Sequence, residues 1–375
     1  MAKRVLVTGA GGFIGFHLSR YLKERGYWVR GADLKLPEFA VSPADEFLST
    51  DLRRWEGALK ATADVEEVYA LAADMGGMGF ISANHAQILR NNTLISVQTL
   101  EAARQNGVRR LLFTSSACVY PDYLQERPDI SGLREEQAYP AAPQDAYGWE
   151  KLLTERLCTH YREDFGLETR IVRFHNIFGP LGTWVGGREK APAALCRKVA
   201  VAKLAGPRVV DVWGDGNQTR SFCYIDDCTE GLYRLMRSDF AEPLNLGQDR
   251  LISINGLLDL ISAIASLELE RRHVPGPQGV RGRNSDNSRL RTVLQWEPAV
   301  TLEEGLQRTY RWVEARFASA WRPAIHLKTW SRVGWGDRRP RSLPLDRPCH
   351  PVAAWGPSVA GQYGARRDQD GATCS

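Results

Sequence analysis

A glycine-rich turn near the amino terminus constrains the fold of this chain more than any other feature. An apolar run that begins at Arg4 is followed by Gly9-Ala-Gly-Gly12-Phe-Ile-Gly15 and then by helically spaced apolar residues. We expect Gly9 to allow a tight turn, Gly12 to let backbone amides approach an anion, and Gly15 to let the helix pack closely on the strand. A strand, such a turn and a helix in this order are typical of a unit that binds a diphosphate at the start of the helix.

Short β-branched runs alternate with amphipathic stretches from residue 3 to about residue 180. This alternation predicts an α/β fold, a Rossmann-type doubly wound parallel sheet, with ligands at the carboxyl ends of the strands. A smaller interleaved α/β substrate-binding domain is expected beyond it. The predicted cofactor domain is 1–177, completed by about 218–246, and the predicted substrate-binding domain is 178–217 and 247–320.

The last part of the chain, 321–375, differs in composition from the rest. It is rich in Pro, Gly and Arg and shows no helical or strand periodicity, which predicts a disordered basic tail. From Arg322 onward there are nine Lys or Arg and four Asp, which accounts for the whole net charge of +5. The body is therefore close to neutral, and nucleic acid is not expected as a partner.

Two further classes of function are disfavoured by the apolar runs and the cysteines. No run approaches the roughly 20 apolar residues of a membrane helix, and the amino terminus has no separate cleavable apolar segment. We therefore expect a cytoplasmic protein that does not bind membranes. The seven cysteines show no paired C-x-x-C spacing, which predicts free thiols and no metal site.

The residue that ends the second predicted strand, Asp33, bears on the choice of dinucleotide. A carboxylate at this place can bind the adenosine ribose hydroxyls and would repel a 2′-phosphate, which favours NAD over NADP although Arg30 and Lys35 are near in sequence. Asp51 and Leu52 are interpreted as a contact to the adenine edge. An ordinary helix cap is an equally good interpretation of Asp51.

Tyr147 and Lys151 lie four residues apart in DAYGWEK and therefore on one face of a helix. A nearby ammonium is expected to lower the pKa of the phenol and to make it a proton acceptor near neutral pH. With the glycine-rich turn and a serine pair about 30 residues upstream, this spacing indicates an active site rather than a chance surface pair. The predicted cofactor-binding residues are Gly9, Gly12, Phe13, Ile14, Gly15, Asp33, Asp51, Leu52, Tyr147 and Lys151.

Longer motifs follow one another in order over residues 3 to about 317. They are AADMGGMGFI (72–81), SSACVYP (115–121), DAYGWEK (145–151), RFHNIFGP (173–180), GGREKAPAA (186–194), WGDGNQTRSF (213–222) and PGPQGVRGRNSDN (275–287). This series resembles the extended short-chain dehydrogenase/reductases that act on nucleotide sugars, and within them the GDP-mannose 3,5-epimerase family. The tail lies outside the resemblance.

The resemblance implies NAD-dependent epimerisation of GDP-D-mannose at C3 and/or C5, which gives GDP-L-galactose and/or GDP-L-gulose. Transient oxidation at C4, with Tyr147 as the proton acceptor, makes both C3 and C5 acidic because both lie next to one carbonyl. Return of the hydride restores the NAD. The resemblance also implies a homodimer through paired helices of the Rossmann unit.

The inversion needs two proton-transfer groups, and the resemblance implies Cys118 as the base and Lys190 as the acid. Related dehydratases carry an acidic pair where this chain has Ala117-Cys118. Ser116 would donate a hydrogen bond to the sugar oxygen at C4. A small buried strand residue is the alternative interpretation of Cys118. The implied catalytic residues are Tyr147, Lys151, Cys118, Lys190 and Ser116.

The same resemblance implies a set of substrate contacts. Gly76 and Gly77 would accommodate the hexose, and either Arg281 or Arg283 would clamp the diphosphate, a choice that the sequence leaves open. The full implied set is Gly76, Gly77, Ser116, Ala117, Cys118, Asn176, Glu189, Lys190, Lys198, Gln218, Arg220, Arg281 and Arg283.

Two other functions remain open at the level of the sequence. One is a nucleotide-sugar 4-epimerase or 4,6-dehydratase of the same fold, although a dehydratase would be expected to carry carboxylates at 117–118. The other is a non-catalytic dinucleotide sensor, which would have no use for Ser116, Tyr147 and Lys151 together.

Overall fold

The strands and helices of this chain alternate, as the sequence pattern predicts. The computed structural model describes residues 2–326 except Ala205. The strands are β1 Arg4–Thr8, β2 Trp28–Asp33, β3 Glu46–Ser49, β4 Glu67–Ala70, β5 Arg110–Ser116, β6 Glu168–Phe174, β7 Ile177–Phe178, β8 Val209–Trp213, β9 Thr219–Arg220, β10 Cys223–Tyr224, β11 Pro243–Leu246, β12 Ile252–Ser253, β13 Glu270–Val274 and β14 Gly282–Arg283.

The helices lie between these strands, with short 3-10 helices at Ala117–Val119, Asp122–Leu124 and Glu135–Ala138. The α-helices are α1 Phe13–Glu24, α2 Trp55–Thr62, α3 Met78–Ala83, α4 His85–Gln105, α5 Ala146–Phe165, α6 Ala191–Leu204, α7 Ile225–Arg237, α8 Ile254–Ile264, α9 Ser288–Leu294 and α10 Leu302–His326.

Seven strands form one parallel sheet in the order β11-β6-β5-β4-β1-β2-β3. The chain moves outward from β1 in one direction to β2 and β3, and in the other to β4, β5, β6 and β11. The strand order therefore reverses next to β1, and ligands of such sheets bind at the carboxyl ends of the strands around this point.

Both faces of the sheet are covered because successive side chains of a strand point to opposite sides. Val5 and Val7 belong to a buried cluster that includes apolar residues of α1 and α7. Leu6, between them, belongs to a second cluster with residues of α2, α4 and α5. This two-sided burial is the packing of a doubly wound fold, and the predicted fold class is confirmed.

Smaller sheets follow the main one along the chain. A three-stranded sheet has the order β12-β9-β14, and β8 pairs with β13 and β7 with β10. The register of β14 on β9 places Arg283 beside Arg220, although 63 residues separate them in sequence. These short pairings bring cationic side chains of distant segments to one place.

The described chain up to Ile325 forms a single compact unit. No boundary is therefore drawn inside it, and the boundaries between the cofactor and substrate-binding domains stay a prediction. The last helix reaches His326, past the predicted start of the tail at residue 321, and the rest of the tail lies outside the described residues. Among the described residues, no helix combines the length and apolarity that a membrane span requires, and no cluster of His, Cys, Asp or Glu could hold a metal.

Candidate active site

A cavity of about 1050 Å³ opens at the carboxyl ends of the central strands. It is slightly larger than the roughly 300–1,000 Å³ of ordinary small-molecule sites. Every residue predicted for the cofactor, the chemistry or the substrate lines it, with the exception of Arg281. The fold therefore brings into one cavity residues that the sequence places between positions 9 and 283.

The glycine-rich turn forms one wall of the cavity. Gly9 has a left-handed backbone with φ of 72°, and a Cβ on Gly15 would lie 2.2 Å from the Gly9 carbonyl oxygen. Helix α1 therefore starts directly on the turn, and no side chain caps its amino terminus. Free backbone amides at this helix end, with Phe13 and Ile14 beside them, suit a diphosphate.

A fourth glycine of the turn, which sequence reasoning did not single out, binds the carboxylate of Asp33, the residue predicted to select the dinucleotide. Gly11 N donates to Oδ2 of Asp33 at 3.0 Å, and a Cβ on Gly11 would lie 2.0 Å from the Lys35 carbonyl oxygen. Burial raises the pKa of Asp33 above its ordinary value, while bonds from backbone amides oppose that effect. The adjacent pair Gly11-Gly12 is the signal that could have revealed this role.

These residues fit NAD better than NADP. Arg30 is engaged with Glu46 and with backbone carbonyls and does not line the cavity. The Asp33 carboxylate does line it, next to the turn. A 2′-phosphate would meet this carboxylate without help from Arg30, although Lys35 also lines the cavity. The hydroxyls of an unmodified ribose could donate to the carboxylate.

Asp51 lines the cavity together with Leu52, but its carboxylate already has a partner. Two nitrogens of Arg53 bond to it at 2.8 and 2.7 Å, and these bonds lower the pKa of Asp51. Helix α2 begins after Arg54, so Asp51 is not its cap. A contact from this segment to an adenine is therefore expected from the backbone and Leu52 rather than from the carboxylate.

The end of β5 presents a hydroxyl and a thiol to the cavity. Ser116 Oγ accepts a hydrogen bond from Cys118 N at 3.2 Å and is hydrogen-bonded to the hydroxyl of Tyr147. Nη1 of Arg283 donates to Sγ of Cys118 at 3.2 Å. Cys118 is therefore a partly exposed thiol beside a guanidinium, which differs from the buried strand residue of the alternative interpretation.

Helix α5 carries Tyr147 and Lys151 into the same space. Asp145 caps the helix, since its Oδ1 accepts from Gly148 N at 2.9 Å. Nζ of Lys151 lies 5.4 Å from the centroid of the Tyr147 ring. This geometry agrees with the predicted spacing of the two side chains on one helical face.

The expected lowering of the Tyr147 pKa by Lys151 is wrong. Burial raises the pKa of Tyr147 well above its ordinary value, and the nearby Cys118 and Glu150 raise it further. The hydrogen bond with Ser116 opposes them only in part. The phenol is desolvated to an extent that one ammonium 5.4 Å from its ring does not offset.

The loop that carries Lys190 packs on the glycine loop at 76–77. Gly77 N donates to the Arg188 carbonyl at 3.1 Å, and a Cβ on Gly77 would lie 2.5 Å from the Glu189 carbonyl oxygen. Arg188 also pairs with Asp74 at 3.3 Å. Asp74 and Arg188 are site residues that sequence reasoning missed, and the segments ADMGGM and GGREK were the signals that contain them.

Lys190 lines the cavity, and water reaches its side chain. The surrounding protein nevertheless desolvates the ammonium and lowers the pKa of Lys190 below its ordinary value. The thiols of Cys118 and Cys228 oppose this shift. A lysine with a lowered pKa is better suited to donate a proton near neutral pH than an ordinary one.

Cationic side chains without carboxylate partners line another part of the cavity. Arg220 donates to the backbone carbonyls of Thr219 and Val280 at 2.7 and 2.8 Å, and Nζ of Lys198 donates to the carbonyl of Asp211 at 2.6 Å. Burial lowers the pKa of both. Within the described residues neither forms an ion pair, so a bound anion would supply the missing negative charge.

Of the two arginines predicted to clamp the diphosphate, one lines the cavity and the other does not. Arg281 forms a bidentate ion pair with Asp215, with distances of 2.8 and 2.6 Å, and it does not line the cavity. Arg283 does line it and donates to Gln125 and Cys118. The carboxylate partner of Arg281 lies 66 residues away in sequence, which is why sequence reasoning could not choose between them.

The remaining predicted contacts lie along the cavity wall. Asn176 has φ of 45° and donates to the Ser221 carbonyl at 2.9 Å. Gln218 is buried, and its Nε2 donates to the Trp213 carbonyl at 3.2 Å. Gly76 packs on Phe80, and Glu189 pairs with Arg197 at 3.1 Å. These side chains are held by protein contacts as well as facing the cavity.

The comparison with known families agrees with this geometry. Residues 5–247 match the family model described as the NAD dependent epimerase/dehydratase family. The chain belongs to this NAD-dependent family. Membership confirms NAD as the predicted cofactor, which fits the turn, the free end of α1 and Asp33.

Among curated relatives in the epimerase/dehydratase family, the chain is similar to GDP-mannose 3,5-epimerase 1 of Oryza sativa subsp. indica. The two are 52% identical over 313 residues, which is 83% of this chain and 82% of the relative. GDP-mannose 3,5-epimerase of Arabidopsis thaliana is 51% identical over the same length and shares of the two chains.

Among solved structures, the chain is similar to UDP-glucose 4-epimerase of Thermotoga maritima. The TM-score is 0.75 at 26% identity, with 84% of this chain and 99% of that chain covered. The UDP-glucose 4-epimerase of Thermus thermophilus, solved in complex with NAD, gives a TM-score of 0.73 at 25% identity, with 83% and 98% covered. The chain therefore shares its fold with two nucleotide-sugar epimerases of known structure.

Proposed function

We propose that this protein is a GDP-mannose 3,5-epimerase that inverts C3 and/or C5 of GDP-D-mannose and gives GDP-L-galactose and/or GDP-L-gulose. The observation that carries the proposal is the Cys118 thiol at the end of β5, in one cavity with Lys190 and Tyr147. The curated GDP-mannose 3,5-epimerases that are about half identical to this chain support the same substrate.

The phosphate end of the substrate is assigned to the cations that lack carboxylate partners. Arg220 and Arg283 are neighbours through the pairing of β9 with β14, and Lys198 lines the same cavity. A diphosphate between them would satisfy guanidinium and ammonium donors at once. Arg283 is assigned as the clamp because it faces the cavity and Arg281 does not.

The hexose is assigned to the space between the end of β5 and the loops around Gly77 and Lys190. The glycine-rich turn and Asp33 would hold NAD, which would supply reversible hydride transfer at C4 of the sugar. Tyr147 takes the proton of the C4 hydroxyl, and Ser116, which is hydrogen-bonded to Tyr147, donates to the same oxygen. Lys151, whose Nζ lies 5.4 Å from the centroid of the Tyr147 ring, stabilises the developing phenolate.

Inversion then requires a base on one face of the ring and an acid on the other. The resulting 4-keto sugar has acidic protons at C3 and C5, and Cys118 is assigned to remove them. Lys190 is assigned to return a proton on the opposite face, a role that its lowered pKa favours. Because the hydride transfer at C4 is reversible, the cycle would consume no cofactor.

A simple 4-epimerase or a 4,6-dehydratase is less well supported by these residues. The former needs no second acid opposite the base, whereas the latter would be expected to use a carboxylate where Ala117 and Cys118 stand. A sensor without activity would not need the hydrogen-bonded Ser116 and Tyr147 beside Lys151.

We further propose a cytoplasmic homodimer. The outer surfaces of α4 and α5 carry large apolar side chains that are more than a third exposed: Leu89, Leu94, Val97, Trp149 and Leu153. Exposed apolar groups on paired helices support an interface between two copies.

The proposed function is tested by incubating the purified protein with GDP-mannose, GDP-glucose and UDP-glucose and identifying the products by NMR. We expect GDP-mannose to be converted to the 3,5- or 5-epimer, and the other two to react much more slowly. Conversion of UDP-glucose to UDP-galactose at a comparable rate, or formation of a 4-keto-6-deoxy product, would contradict the proposal.

A further inference from the structure

A buried carboxylate next to the active site has no part in the chemistry described above. Glu150 lies on α5 between Tyr147 and Lys151, and its side chain is fully buried. Its Oε1 lies 3.3 Å from Nζ of Lys151, whose side chain is 3% exposed. Neither carboxylate oxygen has a hydrogen-bond partner of ordinary geometry among the described residues. A buried acid in this state calls for an explanation.

The environment of Glu150 offers one opposing charge. Burial raises the pKa of Glu150 above its ordinary value, and the ammonium of Lys151 is the group that most strongly opposes this shift and favours the carboxylate. The facing group on α4 is the neutral amide of Asn92. The same ammonium lies 4.7 Å from the Phe113 ring of β5. Lys151 and Glu150 therefore form a buried pair in largely apolar surroundings, where charges act over longer distances than in water.

The environment of Tyr147 shows which group this pair can influence. Ile81 of α3 and Ile88 of α4 pack on the phenol, and Ser116 of β5 bonds to its hydroxyl. The acidic groups that act on it are Cys118 of the 3-10 helix, Glu150 and Asp145. Among these, Glu150 is the one that also touches Lys151, the cation expected to stabilise the phenolate.

We propose that Glu150 is a positioning residue for Tyr147: its carboxylate pairs with the Lys151 ammonium and weakens the attraction of that ammonium for a phenolate. The pairing adds to burial, which is the main cause of the raised Tyr147 pKa, because an ammonium paired with Glu150 attracts a phenolate less. A less stabilised phenolate is a stronger base toward the C4 hydroxyl. At low pH, however, a smaller fraction of Tyr147 is ionised. The inference rests on the proposed function, which assigns this proton transfer to Tyr147.

The first test compares the pH dependence of turnover in wild type and Glu150→Gln. Loss of the carboxylate removes a negative charge, which favours the phenolate and lowers the Tyr147 pKa. The acidic limb of the kcat profile is therefore expected at lower pH by about one unit or more, with a lower plateau and a KM for GDP-mannose within about twofold of wild type. Asp164→Asn, an exposed position at the far end of α5, is the matched control and should leave the profile unchanged.

The second test does not depend on turnover. Ionisation of Tyr147 is followed by the ultraviolet absorbance of tyrosinate, as the difference between each protein and its Tyr147→Phe counterpart. Tyr147 is expected to ionise at lower pH in Glu150→Gln than in wild type. An acidic limb and an ionisation that stay in place, or that move to higher pH, would overturn the inference.

A third variant keeps the inference testable if Glu150→Gln does not fold. Glu150→Asp retains the negative charge but places it farther from Lys151. The acidic limb of the kcat profile and the ionisation of Tyr147 should therefore both move to lower pH, by less than in Glu150→Gln. If neither moves, the inference is overturned. If wild type does not epimerise GDP-mannose at all, the proposed function fails, and the tyrosinate difference still decides the role of Glu150.

Discussion

At the scale of single residues, the site depends on a few side chains whose environments differ sharply. Cys118 is partly exposed and touches Arg283, whereas Cys196 is fully buried in α6. The sequence presents both as isolated cysteines. Cys118 differs because it follows the end of β5 and because the fold brings Arg283 of the distant strand β14 into contact with it.

The thiol of Cys118 is expected to be essential for epimerisation. Cys118→Ser replaces it with a much weaker base, so turnover of GDP-mannose should fall by roughly 10²–10⁴-fold. Bound NAD, measured after denaturation of the purified protein, should be retained, because the turn at 9–15 is untouched. Cys196→Ala is the control for a cysteine in the core and should keep turnover near that of wild type; equal turnover in Cys118→Ser would refute the assignment.

Lys190 is expected to set the basic limb of the pH profile. It acts as an acid only while protonated, and its lowered pKa means that the protonated fraction falls at a pH below that of an ordinary lysine. Lys190→Arg keeps a cation that stays charged, so the basic limb should move to higher pH while overall turnover decreases. A basic limb at the same pH in both proteins would assign it to another group.

The two clamp candidates provide a matched pair of variants. Arg283→Ala removes a guanidinium that faces the cavity, and the KM for GDP-mannose should rise roughly 10- to 100-fold, as expected for lost charge-assisted hydrogen bonds of about 1.5–3 kcal/mol. Arg281→Ala removes only the ion pair with Asp215 and should change KM little. The reverse order of effects in steady-state kinetics would show that the diphosphate binds elsewhere.

At the scale of elements, the long, strongly patterned segments were predictable and the short ones were not. β5 and β6 lie in the region of residues 3 to about 180 where the β-branched runs predict strands, because buried parallel strands are nearly continuous apolar runs. The two-residue strands β9 and β14 carry no periodic signal, yet their pairing places Arg220 beside Arg283. Such contacts depend on register between distant segments, which local pattern does not contain.

The contact between the loops that hold Gly77 and Lys190 should be sensitive to one methyl group. In Gly77→Ala the new Cβ would lie 2.5 Å from the Glu189 carbonyl oxygen, and such overpacking typically costs about 1–3 kcal/mol. Because Lys190 follows Glu189 directly, turnover is expected to fall at least about tenfold while NAD stays bound.

Gly79→Ala is the control for this contact, since its Cβ would be 3.8 Å from Trp213, an ordinary distance. It should reduce turnover much less than Gly77→Ala when both are assayed with saturating GDP-mannose. Equal effects of the two substitutions would indicate a general defect of the segment rather than displacement of the Lys190 loop.

At the scale of the whole molecule, the proposed homodimer makes a prediction about assembly. Trp149 and Leu153 lie one turn apart on α5 and are each 47% exposed. Replacing both with Glu should shift the protein toward the monomer in sedimentation velocity, because charges would oppose burial of this face. Leu204→Glu, at the end of α6 and 41% exposed, should leave the sedimentation coefficient unchanged, and an unchanged coefficient in the α5 variant would contradict the interface.

The central claim is that oxidation at C4 serves proton exchange at C3 and C5 through Cys118 and Lys190. The most direct measurement is incubation of the wild-type protein with GDP-mannose in deuterated water, followed by NMR and mass analysis of the recovered nucleotide sugars. The account predicts products with inverted configuration that carry deuterium at C5, at C3 or at both, and no such label with Cys118→Ser. Inverted product without solvent deuterium, or labelled product from Cys118→Ser at the wild-type rate, would contradict it.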